Sequence, residues 1–171
     1  MNGLEGTLPD VDSAFRLHRV DLFNYFRRCG LPRPAAEDLT QSVFVVLLKE
    51  RSRFDAGRGS LRVFLFGIAR NLRLQWQRGA RMRVVEWETS AAAATRGATT
   101  EELFAVREAV LALPDPQREA LLLREFHGLD YAEIARVQQI PTGTVRSRLF
   151  QARDAVRRRL RPNPIEDEEK P

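Results

Sequence analysis

The feature that most limits how this chain can fold is the segment 129–160, which reads LDYAEIARVQQIPTGTVRSRLFQARDAVRRRL. Four of its residues share the spacing of one face of a short helix: Tyr131, Ile134, Ala135 and Gln138. Pro141 has no backbone N–H and restricts the residue before it, so this helix must end by Ile140. A long basic helix is predicted to follow. The segment therefore predicts a helix-turn-helix, a motif that can place its second helix in the DNA major groove.

The second helix of this motif is predicted to have one apolar side and one side that reads DNA. Thr142 is expected to cap it, with its hydroxyl accepting from the N–H of Val145. The core-facing stripe comprises Val145, Leu149, Ala152, Val156 and Leu160. The candidates for base and phosphate contacts near the N-terminal end are Thr144, Arg146, Ser147, Arg148, Phe150 and Gln151. A solvated basic face on an ordinary amphipathic helix is the alternative, but the turn, the cap and the asymmetric charge coincide here.

Charge is concentrated in two basic islands. Residues 51–83 hold nine arginines and one acid, and residues 144–161 hold seven arginines and one acid. These islands contain 16 of the 28 basic residues, whereas the remainder carries 12 basic and 21 acidic residues, a balance of −9. Such a pattern favours two contacts with a polyanion and a separate, less basic surface.

Several classes of protein are disfavoured by composition. The chain has no apolar run long enough to span a membrane, and its first residues have neither the basic start nor the apolar stretch of a secretory signal, so we expect a cytoplasmic protein. The single Cys29 excludes an internal disulfide and is expected to be a small buried residue at a helix end. His18 and His127 lack cysteine companions, so neither a metal site nor any other cofactor is predicted.

The remaining pattern is helical throughout. Helices are predicted over residues 12–29, 35–50 and about 61–77, the last capped by Ser60, and over residues 99–112 and 115–126. Thr99 with Glu102 forms a capping-box pattern, and Asp115 is expected to cap the next helix. The fold class is therefore all-α, with two small helical modules joined by a flexible linker. We assign residues 10–80 to the first module, 81–98 to the linker, 99–161 to the helix-turn-helix module and 162–171 to an acidic tail.

Both modules resemble regions of bacterial sigma factors. Residues 36–44 (AEDLTQSVF), 53–55 (RFD) and 59–71 (GSLRVFLFGIARN) resemble conserved region two. Residues 113–114 (LP), 117–119 (QRE), 131–135 (YAEIA) and 143–149 (GTVRSRL) resemble region four. The layout of two regions without further domains is similar to the compact extracytoplasmic-function (ECF) group of RNA polymerase sigma factors.

This resemblance implies a sigma factor that binds core RNA polymerase and directs promoter-specific transcription initiation. Region two would bind the polymerase clamp helices through Asp38, Leu39, Gln41 and Phe44. It would hold the melted promoter strand through Arg58, Arg62, Arg70, Asn71 and Arg73, while region four reads the more distant promoter element. The resemblance also allows an anti-sigma factor as a partner. From the residues alone, a plain helix N-terminal carboxylate is the favoured interpretation of Asp38, and Phe44 is interpreted as core.

The sequence departs from the family pattern at several positions. Ser42 stands where many relatives have an acid, Phe64 where many have tryptophan, and Gln151 where many have a basic residue. Gln138 and Gln139 stand where a glycine is common in the turn, at an expected cost of about 1 kcal/mol for a left-handed non-glycine. Trp76 is left open between base stacking and packing.

Two other function classes remain as alternatives. An autonomous repressor or activator could carry the same helix-turn-helix, but it would need a ligand or dimer domain in place of the first module. An enzyme is disfavoured because the sequence has no phosphate loop, metal cluster or nucleophile elbow, so no catalytic residue is assigned.

Overall fold

The protein is helical throughout the residues that the computed structural model describes, 10–80 and 100–161. The first stretch contains α1 (Val11–Arg28), α2 (Arg33–Lys49) and α3 (Leu61–Ala80), with short 3-10 turns at Arg51–Arg53 and Ala56–Arg58. The second contains α4 (Thr100–Leu111), α5 (Asp115–Glu125), α6 (Tyr131–Gln138) and α7 (Thr142–Leu160). The prediction of an all-α fold with two helical modules is confirmed. The predicted linker, the acidic tail and the capping residue Thr99 lie outside the described residues.

In the first module, α1 packs on α2 and α2 packs on α3. Glycine at position 30 has φ 101°, a left-handed conformation that ends α1, and the N–H of Leu31 returns to the carbonyl of Phe26. Ser60 caps α3 as predicted, because its Oγ accepts from the N–H of Val63 at 3.3 Å. Cys29 is buried at the end of α1, and burial raises the pKa of its thiol to about 12. This cysteine is therefore the small buried residue that the sequence predicted.

In the second module, α6 and α7 form the predicted helix-turn-helix, with α5 and α4 packed against α7. A capping box at Asp130 and Glu133 fixes the start of α6. Gln139 adopts the left-handed conformation with φ 54° between the two helices, as the sequence predicted for this turn. The apolar stripe of α7 is buried at Val145, Leu149 and Ala152 but emerges into solvent at Leu160.

Two predicted caps are wrong. The carbonyl of Pro141 accepts from the N–H groups of Thr144 and Val145, so α7 begins at Thr142 and the hydroxyl of Thr142 makes no cap. In the same way, the carbonyl of Pro114 accepts from Gln117 and Arg118. In both cases the backbone carbonyl of the proline starts the helix one residue earlier than the sequence indicated.

The two modules pack against each other. The contact joins α3 to α6 and α1 to α5, and we call it the junction. The predicted linker was long enough for the modules to fold together or apart, and the structure has them together. The junction determines which of the candidate DNA-binding residues are accessible.

Candidate nucleic-acid interface

The N-terminal half of α7 presents an exposed surface on which the residues predicted to contact DNA bases lie. Phe150 is 71% exposed. The side chains of the other candidates on this surface are also exposed: Thr144, Arg146, Ser147 and Gln151. The Nε2 of Gln117 in α5 donates to the Oε1 of Gln151 at 3.0 Å, which leaves the amide NH₂ of Gln151 free of this bond. These residues form one continuous polar and aromatic face on a helix whose opposite side is anchored in the core.

Arg148 is the exception on α7. It is half-buried, and its guanidinium donates to the Oε1 of Gln138 at 2.8 Å. Gln138 is itself buried, and its Nε2 donates to the Oε2 of Glu119 at 2.9 Å. The reading helix is therefore linked by two hydrogen bonds to a buried carboxylate at the junction.

That carboxylate, Glu119, is the centre of a buried polar network. The side chains of Arg73 and Glu119 are 1% and 2% exposed, and Arg73 Nη2 donates to Glu119 Oε1 at 2.9 Å. Arg73 also donates to Asp115 Oδ2 at 2.7 Å and, at 3.3 Å, to the phenol oxygen of Tyr25. Arg70 donates to Glu119 Oε2 at 3.1 Å. Because a buried charge is tolerated only when it is paired and hydrogen-bonded, this network holds α1 and α3 against α5.

Tyr25 completes the network from α1. Its hydroxyl donates to Glu119 Oε1 at 2.5 Å, a short charge-assisted bond. Burial, with Glu119 nearby, raises the pKa of Tyr25 well above its ordinary value, so the phenol stays protonated and keeps its donor. The carboxylate of Glu119 thus accepts from Tyr25, Arg70, Arg73 and Gln138, which satisfies both of its oxygens.

The five predicted strand-binding residues fall into three environments. Arg70 and Arg73 are engaged at the junction as described. Arg62 donates to Asp21 Oδ2 at 2.8 Å within the first module. Arg58 and Asn71 are exposed and line a cavity of about 570 Å³ between the 3-10 turns and α3.

The second module closes one side of this cavity. Arg136 of α6 donates from Nη1 to the carbonyl of Arg58, and Gln139 lies beside it. Gly59 has φ 155°, and a Cβ added there would lie 2.7 Å from Arg136 Nη1. Glycine is therefore favoured at position 59 by its backbone conformation, and a side chain there would displace the end of the flexible Arg136 side chain.

An aromatic and histidine cluster forms the other part of the junction. His127 is 3% exposed, with its ring centroid 4.9 Å from that of Phe66 and 6.1 Å from that of Tyr25. Its Nδ1 lies 3.6 Å from Asp21 Oδ1, too far for a hydrogen bond, and neither ring nitrogen has a partner. Burial lowers the pKa of His127 to about 4, so the imidazole is neutral at pH 7. On the rim, the guanidinium of Arg28 lies 4.6 Å from the ring centroid of Phe126, a cation–π contact between the modules.

The predicted polymerase-facing residues lie on α2, away from the junction contacts. Asp38 and Gln41 are exposed and Leu39 is partly buried. Phe44 is 5% exposed and packs edge-on against Phe15, with ring centroids 4.9 Å apart. The structure therefore offers a polar outer face on α2 with an aromatic pair beneath it. Trp76, left open by the sequence, is partly buried and packs on the core.

The sequence did not predict the residues that form hydrogen bonds and ion pairs with Arg70 and Arg73. Glu119, Asp115, Tyr25, Gln138 and His127 carry the junction, and none was assigned to a site. One signal was present: Glu119 is followed by the apolar run Ala120–Leu123, so a helix would place its carboxylate beside core residues. A carboxylate in such surroundings requires a cationic partner.

Two further facts concern the described residues only. None of their helices combines the length and apolar character that a bilayer crossing requires. No group of three metal-ligating side chains comes together among them.

Comparison with known families agrees with this architecture. The family model "Sigma-70 region 2" matches residues 14–83, and "Sigma-70, region 4" matches residues 103–156. The first match covers most of α1 and all of α2 and α3, and the second covers most of α4 to α7.

Individual relatives give the same result. The chain is 38% identical over 133 residues to a probable RNA polymerase sigma-C factor of Mycobacterium bovis, covering 71% of this chain and 68% of that protein. It is 53% identical over 57 residues to the RNA polymerase sigma-H factor of Pseudomonas aeruginosa, a match that spans 30% of that relative's length. It is 50% identical over 50 residues to the ECF RNA polymerase sigma-E factor of Escherichia coli, where the match spans 26% of the relative.

Solved structures share the fold. The sigma factor RpoE of Bartonella quintana, in complex with the anti-sigma factor NepR, superposes with a TM-score of 0.74 at 24% identity, over 90% of this chain and 98% of that one. CnrH, in complex with the cytosolic domain of CnrY, superposes with a TM-score of 0.66 at 24% identity, over 86% and 85% of the two chains.

Proposed function

Because the chain belongs to the extracytoplasmic-function group of the sigma-70 family, and is thus an RNA polymerase sigma factor that directs transcription initiation, we propose a division of labour between its modules. The first module binds core RNA polymerase and holds the melted promoter strand. The second reads the more distant promoter element. The observation that carries this proposal is the exposed face of α7, which combines a helix-turn-helix geometry with outward Arg146, Phe150 and Gln151.

The polymerase contact is assigned to the outer face of α2. Asp38, Leu39 and Gln41 lie on it, and Phe44 supports it from the core side. Asp38 is exposed in the second turn of α2, so it presents a negative charge to a basic partner. Charge complementarity of this kind favours specific association more than raw affinity.

The strand contact is assigned to Arg58, Arg62, Arg70, Asn71 and Arg73. A single strand needs cations along its backbone and a recess for bases that leave the stack. Arg58 and Asn71 line the cavity beside α3, and the three other arginines lie along α3. The arrangement thus supplies a recess with Arg58 and Asn71 at its edge. Arg62, Arg70 and Arg73 contact a strand only when they exchange their carboxylate partners, Asp21 and Glu119, for phosphate.

The reading contact is assigned to Thr144, Arg146, Ser147, Arg148, Phe150 and Gln151. Arginine pairs with guanine through two hydrogen bonds, glutamine pairs with adenine, and an aromatic ring can contact the thymine methyl. Gln151 accepts from Gln117 at its Oε1, so its NH₂ group is the part of the side chain that remains to donate to a base. Arg148 reaches DNA only when it leaves Gln138.

The proposal includes no chemical step and no cofactor. Sigma factors are transcription initiation factors without catalysis of their own, and this chain is assigned the same role, in the bacterial cytoplasm with the polymerase. An anti-sigma factor is a further partner class to be tested, since the Bartonella quintana neighbour is described in complex with one.

A reconstituted transcription assay tests this function. The full chain, mixed with bacterial core polymerase, is expected to co-purify with it and to produce transcripts from one promoter class. Asp38→Arg is expected to weaken core binding, and Glu101→Arg on exposed α4 is its matched control. Arg146→Ala is expected to cost about 1–3 kcal/mol of discrimination at one base pair of the distal element. Failure of the wild-type chain to bind core polymerase sinks the proposal.

A further inference from the structure

One side chain on the exposed face of α7 has its hydrogen-bonding role set by a different helix. Gln151 is exposed, and the Nε2 of Gln117 in α5 donates to its Oε1 at 3.0 Å. A primary amide carries an acceptor oxygen and a donor NH₂ in one plane, so an unconstrained glutamine can offer either group to a base. Because Gln117 donates to the oxygen, the NH₂ is the group of Gln151 that remains for DNA.

The second module holds both members of this amide pair in place. Gln117 lies in the first turn of α5, where its backbone N–H donates to the carbonyl of Pro114 at 3.0 Å, and its side chain is half-buried. Gln151 projects from α7 beside Ala152, which is 0% exposed in the core. Since α5 packs directly against α7, two anchored helices set the geometry of the pair.

A glutamine that can only donate distinguishes bases differently from an unconstrained one. In the major groove guanine presents two acceptors, N7 and O6, whereas cytosine presents only the N4 donor. Adenine presents the N7 acceptor beside the N6 donor, and a glutamine ordinarily contacts both groups by using its NH₂ and its oxygen together. For Gln151, the adenine N6 donor would have to share the oxygen with Gln117. The held amide therefore favours guanine over adenine and disfavours cytosine.

We propose that Gln117 is a specificity-determining residue of the promoter-reading surface and acts as a positioning residue for Gln151. It makes the amide of Gln151 a hydrogen-bond donor and directs it to a guanine at one base pair of the distal promoter element. The adenine pairing that is ordinary for glutamine is thereby replaced. This inference rests on the proposed function, because it requires α7 to lie in the major groove. Gln117 itself contacts no base in this assignment.

The neighbouring residues on α7 provide an internal reference. Arg146 is exposed, and Arg148 donates to the Oε1 of Gln138 at 2.8 Å. A guanidinium has donors and no acceptor, so no neighbour can change the kind of group that an arginine offers to a base. Substitution of Gln117 is therefore expected to change the base preference at the position that Gln151 contacts, and to leave the preference at the position of Arg146 unchanged.

The first test inverts the amide with Gln117→Glu. A carboxylate accepts and cannot donate, so Gln151 must turn its NH₂ toward position 117 and offer its oxygen to the base. The full chain is assembled with core polymerase, and binding is measured on promoters in which each base pair of the distal element is varied in turn. The base pair that Gln151 contacts is identified as the one whose preference is lost in Gln151→Ala.

At that base pair we expect the wild-type chain to prefer guanine. In Gln117→Glu the ratio of guanine to cytosine binding is expected to fall by roughly tenfold or more, since cytosine supplies the N4 donor that an outward oxygen requires. The added charge weakens binding to every promoter alike, so the ratio isolates the amide. Ala112→Glu is the matched control, because it adds the same charge at an exposed position just before α5 and is expected to keep the wild-type preference.

A second variant removes the hydrogen bond without adding charge. Gln117→Met keeps the length of the side chain but has no donor, so Gln151 can again use both ends of its amide. We expect the ratio of guanine to adenine binding to fall by about fivefold or more, because the ordinary pairing with adenine becomes available. In a Gln151→Ala background, neither substitution at position 117 is expected to change any base preference, which separates positioning from a general effect on the fold.

The outcomes separate this inference from the function on which it rests. It is overturned by a wild-type preference for adenine at this base pair, by a guanine preference that survives both Gln117→Glu and Gln117→Met, or by equal changes in the Gln151→Ala background. In each of these cases a chain that still binds core polymerase and depends on Arg146 keeps its proposed function. A wild-type chain that binds no core polymerase removes the proposed function and this inference together.

Discussion

The two basic surfaces of this chain are alike in sequence and unlike in the structure. On α7, Arg146 and Phe150 face solvent with nothing in front of them. On α3, Arg70 and Arg73 are paired with Glu119 from the other module. The difference shows that a run of arginines does not by itself predict a surface that is free to bind a polyanion. Which arginines are free depends on carboxylates elsewhere in the chain.

The junction also differs from an ordinary apolar contact. A buried ion pair adds little net stability, because desolvation offsets most of its attraction. Removing one partner is costly, however, since the other is left buried and unpaired. Such a contact fixes how the two modules pack together. It also allows them to separate, because Arg70, Arg73, Glu119 and Asp115 are well solvated once the modules part. The aromatic part of the junction behaves differently, because opening exposes the rings of Tyr25 and Phe66 that pack on His127.

The largest expected effect comes from breaking the buried pair. Arg73→Ala leaves Glu119 with Tyr25, Arg70 and Gln138 as its remaining partners, and it removes the hydrogen bond to Asp115. We expect the free energy that holds the modules together to fall by about 3–5 kcal/mol, as for other buried pairs that lose one member. Urea unfolding measures this change, together with energy transfer between dyes on Ser13→Cys and Ala105→Cys, exposed positions in α1 and α4.

Arg153→Ala is the matched control for that experiment. It removes an ion pair with Glu125 whose side chains are 39% and 47% exposed. Exposed pairs contribute about 0–1 kcal/mol, so a small effect is expected and the modules should remain together. Equal losses of stability for Arg73→Ala and Arg153→Ala would show that the buried ion pair at the junction contributes no more than an exposed ion pair.

A smaller effect is expected from acid, through His127. Burial lowers the pKa of His127 from its ordinary value of 6.5 to about 4; Arg28 and Arg62 act in the same direction, and Asp21 opposes them. A chain whose modules have separated or unfolded therefore binds a proton at His127 more readily than one whose modules are packed together. The free energy that holds the modules together is therefore highest above pH 6.5, and it falls by up to about 3 kcal/mol as the pH drops toward 4.

Energy transfer and urea unfolding at about pH 7.5 and about pH 5 measure this dependence. His127→Phe keeps an aromatic ring beside Phe66 and Tyr25 and is expected to flatten the pH profile. His18 is half-buried, and burial together with Arg62 also lowers its pKa, so His18→Gln is the control for a second titrating group. A His127→Phe chain that keeps the full pH dependence would assign it to other groups.

The local parts of this fold could be predicted from the sequence. The left-handed turn at Gln139, the cap at Ser60 and the buried Cys29 all follow from neighbouring residues. The cap predictions at Thr142 and Asp115 were wrong because a preceding proline carbonyl began each helix earlier. These are errors of one residue, the usual uncertainty of a helix boundary.

The junction could not be predicted in the same way. Tyr25 and Glu119 are 94 residues apart in sequence, and Arg73 and Glu119 are 46 apart. Periodicity describes one helix at a time, so it identifies Glu119 as a carboxylate on an apolar face without naming its partner. The polymerase, strand and reading assignments stay predictions, and the structure adds which of their residues are exposed.

The smallest expected effect concerns the strained turn at Gln139 in the second module. Gln139 has φ 54°, a conformation that costs a non-glycine residue about 1 kcal/mol or somewhat more. Gln139→Gly is expected to stabilise the second module by up to about 1 kcal/mol, because relief of this strain exceeds the added flexibility of the unfolded chain. Thermal unfolding measures the gain. Ala105→Gly, in the middle of exposed α4, introduces the same residue at a right-handed helical position and is expected to destabilise by about 1 kcal/mol.

Since Gln139 contributes no hydrogen bond to the Glu119 network, the energy transfer between the modules should not change. A loss of stability in Gln139→Gly would mean that its side chain at the cavity rim holds the two modules together, and the turn would then belong to the junction rather than to the reading surface.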